Sequence, residues 1–222
     1  QQTGPTLLEL SDVFCQDGRR AKTLQGLSLQ IRGGEIYGVV GVSGNGQQEL
    51  TGVVTGALVS VSGRVVVAGD NIAGEDAAAV RRRGVGLIPE DRDRQGLVGK
   101  MAVWENMLLG QVGRLEFSPT GFLSEKNCQS HVMEQVRQYS IRLGSISQPV
   151  RSLSGGNRQK VILARELNLQ PKVLVASQPV RGLDVGAAEM VYERLRAARN
   201  AGAAVLLISA APEAVLASAD RA

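Results

Sequence analysis

The stretch from Leu153 to Asp184 constrains the fold more than any other part of the chain. It opens Leu153-Ser154-Gly155-Gly156-Asn157-Arg158-Gln159-Lys160 and runs into apolar positions at helical spacing, Val161, Ile162, Leu163, Ala164 and Leu167. Ser154 suits a helix N-cap, since its hydroxyl can accept a first-turn N–H that has no helical partner. Gly155 and Gly156 let a phosphate approach the backbone where a helix begins. A short apolar strand, Val173-Leu174-Val175-Ala176, follows, then Ser177-Gln178-Pro179 and a turn at Gly182-Leu183-Asp184. Glycine turn, helix, buried strand and loop follow one another in α/β order. Ser-Gly-Gly alone reads equally well as a flexible loop; the elements behind it carry the argument.

A second glycine-rich loop lies upstream. Ile36-Tyr37-Gly38-Val39-Val40 is a short apolar run, as expected of a strand buried on both faces. It leads into Gly41-Val42-Ser43-Gly44-Asn45-Gly46-Gln47-Gln48-Glu49-Leu50 and a helix through Thr51 to Thr55. A strand, a glycine loop and a helix make a phosphate cradle, because backbone N–H groups and the helix N-terminus face the anion. The spacing of Gly41 and Gly46 fits the P-loop pattern, which next requires Lys for the β/γ-phosphates and Ser or Thr for Mg²⁺. Gln47 and Gln48 stand at those positions. A glutamine amide donates a hydrogen bond but carries no charge, so the loop keeps its shape and loses its chemistry.

Composition bounds the rest. The 222 residues suit one large domain or two small ones, and 43% apolar with 21% charged residues is ordinary for a globular chain. Aromatics make up 3%, so the core must be built from Val, Leu, Ile and Ala. The formal charge is +4. Its one dense basic run, Arg81-Arg82-Arg83, reads as a solvated helix end in preference to a nucleic-acid contact. No apolar run is long enough for a membrane span and no secretory signal opens the chain. Cys15 and Cys128 are isolated, without metal or disulfide spacing, which makes a reducing compartment the default. His131 is the sole histidine.

In order, Gln1 to Pro5 reads as a linker, and Leu7–Phe14 and Leu24–Ile31 as strands. Arg64–Val67 reads as an edge strand, Glu75–Arg83 as a short helix and Val85–Ile88 as a strand ending at Pro89-Glu90-Asp91-Arg92. Asp91–Gly99 is a charged loop. Ala102–Leu109 and Ser124–Leu143 have helical periodicity, the latter with Val132, Val136 and Tyr139 on one side. Ala187–Ala198 is a helix, Ala203–Ile208 a buried strand, and a last helix starts at Ser209-Ala210-Ala211-Pro212. Alternating strands and helices argue for a mostly parallel core sheet.

With both glycine loops in place, the chain resembles an ABC-type nucleotide-binding domain. The resemblance covers nearly everything from Leu8 to Arg221. It implies an α/β, P-loop NTPase-type fold with a parallel core sheet, an antiparallel β-subdomain and an inserted helical subdomain. The whole of 1–222 is then one domain: β-subdomain and core over about 6–90, helical subdomain over about 91–160, core again over about 161–222. Typical members continue for another strand or more. Gly86-Leu87-Ile88-Pro89-Glu90-Asp91-Arg92, Arg94, Gly96-Leu97, Glu105-Asn106, Asn157 and Arg181-Gly182-Leu183-Asp184-Val185-Gly186-Ala187 narrow the likeness. They resemble the second half of bacterial simple-sugar and nucleoside importers, in which two ABC halves share one polypeptide. The Gly-Asn-Gly-Gln loop and Ser-Gln-Pro favour the nucleoside branch.

The departures fall on the catalytic positions. The Walker B strand of the family ends in Asp, which holds Mg²⁺ through water, then Glu, which polarises the attacking water; here these are Ser177 and Gln178. Ser is a weak neutral ligand, and Gln cannot act as a base. The loop glutamine that senses the γ-phosphate matches Glu90, whose charge repels it unless neutralised. The switch histidine matches Ala210, and His131 lies in the helical insert, far from any strand end. The adenine-stacking aromatic falls at about Asp17; Phe14, the nearest substitute, reads as a core residue.

Phosphoryl transfer needs charge neutralisation, a positioned metal and an oriented water, and the side chains for all three are missing. The signature Leu153, Ser154, Gly155, Gly156 and Asn157, and Asp184 of the following turn, are kept. ABC domains pair head to tail, so the retained motifs serve a partner's nucleotide and the lost ones serve the chain's own loop (Gly41, Ser43, Gly44, Asn45, Gly46, Gln47, Gln48). The resemblance thus implies a catalytically degenerate half that donates its signature to a competent ABC half. That assembly holds ATP and Mg²⁺ mainly at the partner's site. It works with transmembrane permease subunits, and indirectly a solute-binding protein, at the cytoplasmic face of the bacterial cell membrane, with no nucleic-acid partner. A fully active ATPase and a soluble ABC protein without membrane partners are the alternatives; the Glu-Asp-Arg loop favours the importer over the latter.

Overall fold

The computed structural model describes residues 4–15, 24–41, 44–59, 62–111, 117 and 124–222. Two four-stranded sheets organise it. The antiparallel sheet contains β1 (Thr6–Phe14), β2 (Gln25–Arg32), β4 (Ser62–Val67) and β5 (Asp70–Asn71) in the order β2-β1-β4-β5. The parallel sheet contains β3 (Glu35–Val40), β6 (Val85–Ile88), β7 (Val173–Ser177) and β8 (Ala204–Ser209) in the order β3-β8-β7-β6. Parallel neighbours need crossovers, and helices supply them. These are α1 (Gln47–Val54), α2 (Ala77–Arg82), α5 (Gly155–Asn168) and α6 (Val185–Asn200); α7 (Pro212–Ser218) follows the last strand and packs against β3 and β8.

Side-chain alternation along β7 and β8 divides the core in two. Val173, Val175, Leu206 and Ile208 face Leu8, Leu10, Ile31, Val65 and Val67 of the antiparallel sheet, with Leu50 and Val53 of α1. Leu174, Ala176, Val205 and Leu207 face the other way, onto Val161 and Ile162 of α5 and Val191 and Leu195 of α6. Every residue of β7 and β8 is buried, as their unbroken apolar runs require. β3 departs from the expected two-sided burial: it is the last strand in the order, and Val40 is 45% exposed where the chain leaves for the glycine loop.

The helical part comprises α3 (Val103–Leu108), α4 (Glu125–Gln138) and the start of α5. Val132, Val136 and Tyr139 are buried, as their spacing predicts. α4 stops at Gln138, short of Leu143, because Ser140 turns to φ 50 and the Ile141 N–H closes back on the Val136 carbonyl at 2.9 Å. Fully buried Asn106 organises the entry to this part. Its Oδ1 accepts the Val98 N–H at 2.8 Å, and its Nδ2 donates to the carbonyls of Val98, Met101 and Ala102. α5 runs through position 160 without a break and joins the helical part to the core.

Three other expectations are corrected. β4 is an inner strand, because β5 pairs with Val66 and Val67. The charged loop after Asp91 contains a wide helical turn, Arg92–Gly96, capped by Asp91 accepting the N–H groups of Asp93 and Arg94. The Arg81–Arg83 run is not merely solvated. Arg81 forms a bidentate pair with Glu166 at 3.0 and 3.2 Å, and Arg83 pairs with Asp70 and Glu75. Glu166, 1% exposed, also takes Arg165 Nε at 2.8 Å and the Leu87 N–H at 3.2 Å, tying α2 and β6 to α5. Among the described residues, no helix is long and apolar enough to cross a membrane.

Candidate nucleotide site and signature face

The glycine loop joins the C-terminal end of β3 to α1. Gly44 and Gly46 adopt φ 96 and 94, left-handed values that glycine takes without strain. Gly46 is the N-cap of α1 and supplies no side-chain cap to its first N–H groups. Ser43 lies outside the described residues. Gln47 folds back across the loop. Its Oε1 accepts the Asn45 N–H at 3.2 Å, and its Nε2 fills the space that a Cβ on residue 41 would take. The residue at the lysine position thus engages one of the N–H groups that a phosphate would need.

Gln48, Glu90 and Ser177 come together in the structure. They line one cleft of about 340 Å³ with Thr51, Pro89 and Gln95. The donor set does not suit Mg²⁺: Gln48 and Ser177 offer neutral oxygens, where Mg²⁺ sites rely on carboxylates and phosphates. The one carboxylate of the cleft, Glu90, forms an ion pair with Arg181. This neutralises the charge that the sequence places opposite a γ-phosphate.

Ser177 ends β7 and is buried. Gln178 follows with φ 47; its N–H donates to the Ile208 carbonyl at 2.8 Å, and its Oε1 accepts the Ala210 N–H at 3.2 Å. The glutamate position and the switch position are therefore joined to each other. His131 is elsewhere, on α4, with its ring edge-on to Phe117 at 5.0 Å and its Nε2 near Gln135 and Asn168. Phe14 is not a core residue: it is 45% exposed at the end of β1, where its ring lies against Gly26. Asp17 lies outside the described residues.

The signature turn is built as the sequence predicts. Ser154 caps α5, accepting the Asn157 N–H at 3.4 Å, and Leu153 is buried beneath it. Asn157 locks the turn from behind. Its Nδ2 donates to Ser154 Oγ at 2.9 Å, and its Oδ1 accepts the Arg142 N–H at 2.8 Å. Ser154 is exposed, and Gly155 and Gly156 are half-buried. Asp184 caps α6 through the Ala187 N–H at 2.9 Å, and Ala187 Cβ stands 3.6 Å from where a Cβ on Gly156 would sit. The two retained motifs therefore lie side by side.

Arg92 and Arg181 appear in the sequence only as family-like positions without a role. Their meeting, and that of Arg181 with Glu90, spans about 90 residues, which no local pattern reveals.

The family model described as "ABC transporter" matches residues 24–181, which contain both glycine turns and the ends of β3 and β7. The chain belongs to the ABC transporter family. This cassette is 40% identical over 220 residues to the nucleoside import ATP-binding protein NupA of Lactococcus lactis, covering 99% of the cassette and 44% of that relative. It is 38% identical to the guanosine import ATP-binding protein NupO of Bacillus subtilis, covering 99% and 43%. It is 39% identical over 195 residues to the ribose import ATP-binding protein RbsA 1 of Streptomyces avermitilis, covering 88% and 37%. The chain spans less than half the length of these curated relatives. A nucleotide-free ATP-binding cassette from an ABC transporter superposes with a TM-score of 0.75 at 23% identity, covering 97% of this chain and 85% of that one. The two-sheet α/β architecture is thus that of ABC cassettes.

Proposed function

We propose that this cassette is the hydrolytically silent, signature-donating half of an ATP-driven importer for nucleosides or related simple sugars. Residues 1–222 form one nucleotide-binding domain, with the parts at about 6–90, 91–160 and 161–222. The cassette itself is most like the C-terminal half of two-cassette importers, and it pairs with another ABC half, fused or separate. The import names of NupA, NupO and RbsA 1 support the solute class. Permease subunits and a solute-binding protein complete the assembly, which places the cassette peripherally at the cytoplasmic face of the cell membrane.

The observation that carries this reading is the contrast between two faces of one domain. On its own nucleotide face, Gln47 is folded onto the loop amide of Asn45, and Gln178 is bonded to the Ala210 amide. On the signature side, Ser154, Gly155, Gly156 and Asp184 keep capped helix starts. In the assembly, ATP and Mg²⁺ sit chiefly at the partner's loop. Backbone donors of the signature turn then meet the transferring phosphoryl group, where each such donor is worth roughly 10²–10³ in rate.

The test is the ATPase rate of this chain alone. Background turnover is expected. A steady rate above roughly 0.1 per second, against typical enzyme turnovers near 10 per second, that is lost in Gly46→Ala would overturn it.

A further inference from the structure

We infer that Arg92 is the positioning residue that fixes the signature turn against the Gly182-Leu183-Asp184 turn, so that the two offer one rigid face to the partner's nucleotide. This rests on the signature-donating role proposed above. Arg92 follows β6, in the segment between the nucleotide cleft and the helical part. Its Nη1 donates to the Arg181 carbonyl at 2.9 Å. Its Nη2 lies 3.3 Å from where a Cβ on Gly155 would sit and 3.5 Å from where one on Gly182 would sit. Gly182 holds φ 67, a left-handed value, and presents its bare Cα side to the guanidinium. A planar group thus lies between two glycine turns, within contact distance of the Cβ position of each.

The neighbouring residues reinforce the same join. Asp93 takes Arg158 Nη1 at 2.8 Å, one turn into α5, and Glu90 pairs with Arg181. Gln159 Nε2 donates to the Pro179 carbonyl at 2.8 Å and holds the base of the two segments, buried. Arg92 holds their outer tip, where the signature glycines are. Arg92 Nε is buried with no hydrogen-bond partner among the described residues. The contact that remains, Nη1 to the Arg181 carbonyl, orients the turn, and phosphoryl transfer depends on donors held in place, where a misplacement of about 1 Å can cost about 10²-fold in rate.

The experiment uses the complete importer assembly, with both ABC halves and the permease, and measures steady-state ATPase against ATP concentration. Arg92→Ala and Arg92→Gln are each expected to lower kcat by about tenfold or more while KM for ATP stays within about twofold, since the nucleotide is held by the other half. Arg92→Gln keeps bulk and a donor and is read if the alanine variant fails to assemble. Arg92→Lys is expected to recover less than half of the lost kcat, because a compact ammonium does not reproduce a planar fork. Parent kcat in the alanine and glutamine variants overturns the inference, as does a loss expressed as raised KM. Full recovery with lysine also overturns it, since a point charge would then suffice. Ser154→Arg in the same assembly separates the two claims. If it leaves turnover intact, the signature-donating role fails; if it abolishes turnover while Arg92→Ala is silent, only the role of Arg92 fails.

Discussion

The Oε1 of Gln178 accepts the backbone N–H of Ala210 at 3.2 Å, joining the end of β7 to the loop after β8. In an active ABC site these two positions address water and γ-phosphate. Here they address each other, and the Gly41 N–H closes the third side on the Ser209 carbonyl at 3.3 Å.

It follows that Gln178→Glu alone does not restore hydrolysis. The new carboxylate strengthens its bond to the Ala210 amide, and Gln47 and Ser177 still supply neither cation nor metal ligand. Phosphate release is expected to stay at background. A rise of tenfold or more above the parent chain, which is about 1.4 kcal/mol of barrier, would show that the glutamine alone silences the site.

Nucleotide affinity is expected to be weak and nearly independent of Mg²⁺. The cradle has lost its fixed positive charge, and Gln47 competes for the Asn45 N–H. Restoring Gln47→Lys with Gln48→Ser is expected to tighten ATP binding by about tenfold or more, given that charge-assisted hydrogen bonds are about twice as strong as neutral ones, without producing turnover. Calorimetric titration of both chains with and without Mg²⁺ reads this. Micromolar, Mg²⁺-dependent binding by the unaltered chain contradicts it.

Glu166→Ala is expected to destabilise the fold by about 3 kcal/mol or more, because it strands buried Arg165 and the inner face of Arg81 without their carboxylate. Urea unfolding measures it. A loss below about 1 kcal/mol, the range of a surface ion pair, would mean that this link between α2 and α5 is not a structural pin.

The parts of this architecture that were legible are those set by local pattern. The unbroken apolar runs of β7 and β8 specify buried parallel strands, and Ser154 and Asp184 are recognisable as helix caps from residue type and spacing. What was not legible depends on long-range or rotameric facts. Phe14 looks apolar enough for the core, yet its place at the open end of β1 leaves it exposed. Arg81 looks like surface charge until Glu166, 85 residues away, arrives beside it. The Glu90–Arg181 pair, which decides whether the cleft is acidic or neutral, joins residues 91 apart. The fold-back of Gln47 is a side-chain choice that no sequence pattern specifies.

The central claim is that this cassette acts through its signature face and not through its own loop. The most direct measurement compares Ser154→Arg with Gln47→Ala in the complete importer, by ATPase and by nucleotide binding at the partner half. Ser154 is exposed at the start of α5, where a bulky cation blocks close approach of the signature backbone. Ser154→Arg is expected to abolish ATPase while the partner's ATP binding survives, and Gln47→Ala is expected to leave the rate within about twofold of the parent, or about 0.4 kcal/mol of barrier, because the loop it sits in is not used for the chemistry. If Gln47→Ala abolishes ATPase while Ser154→Arg leaves it intact, the division between the two faces runs the other way and the account is wrong.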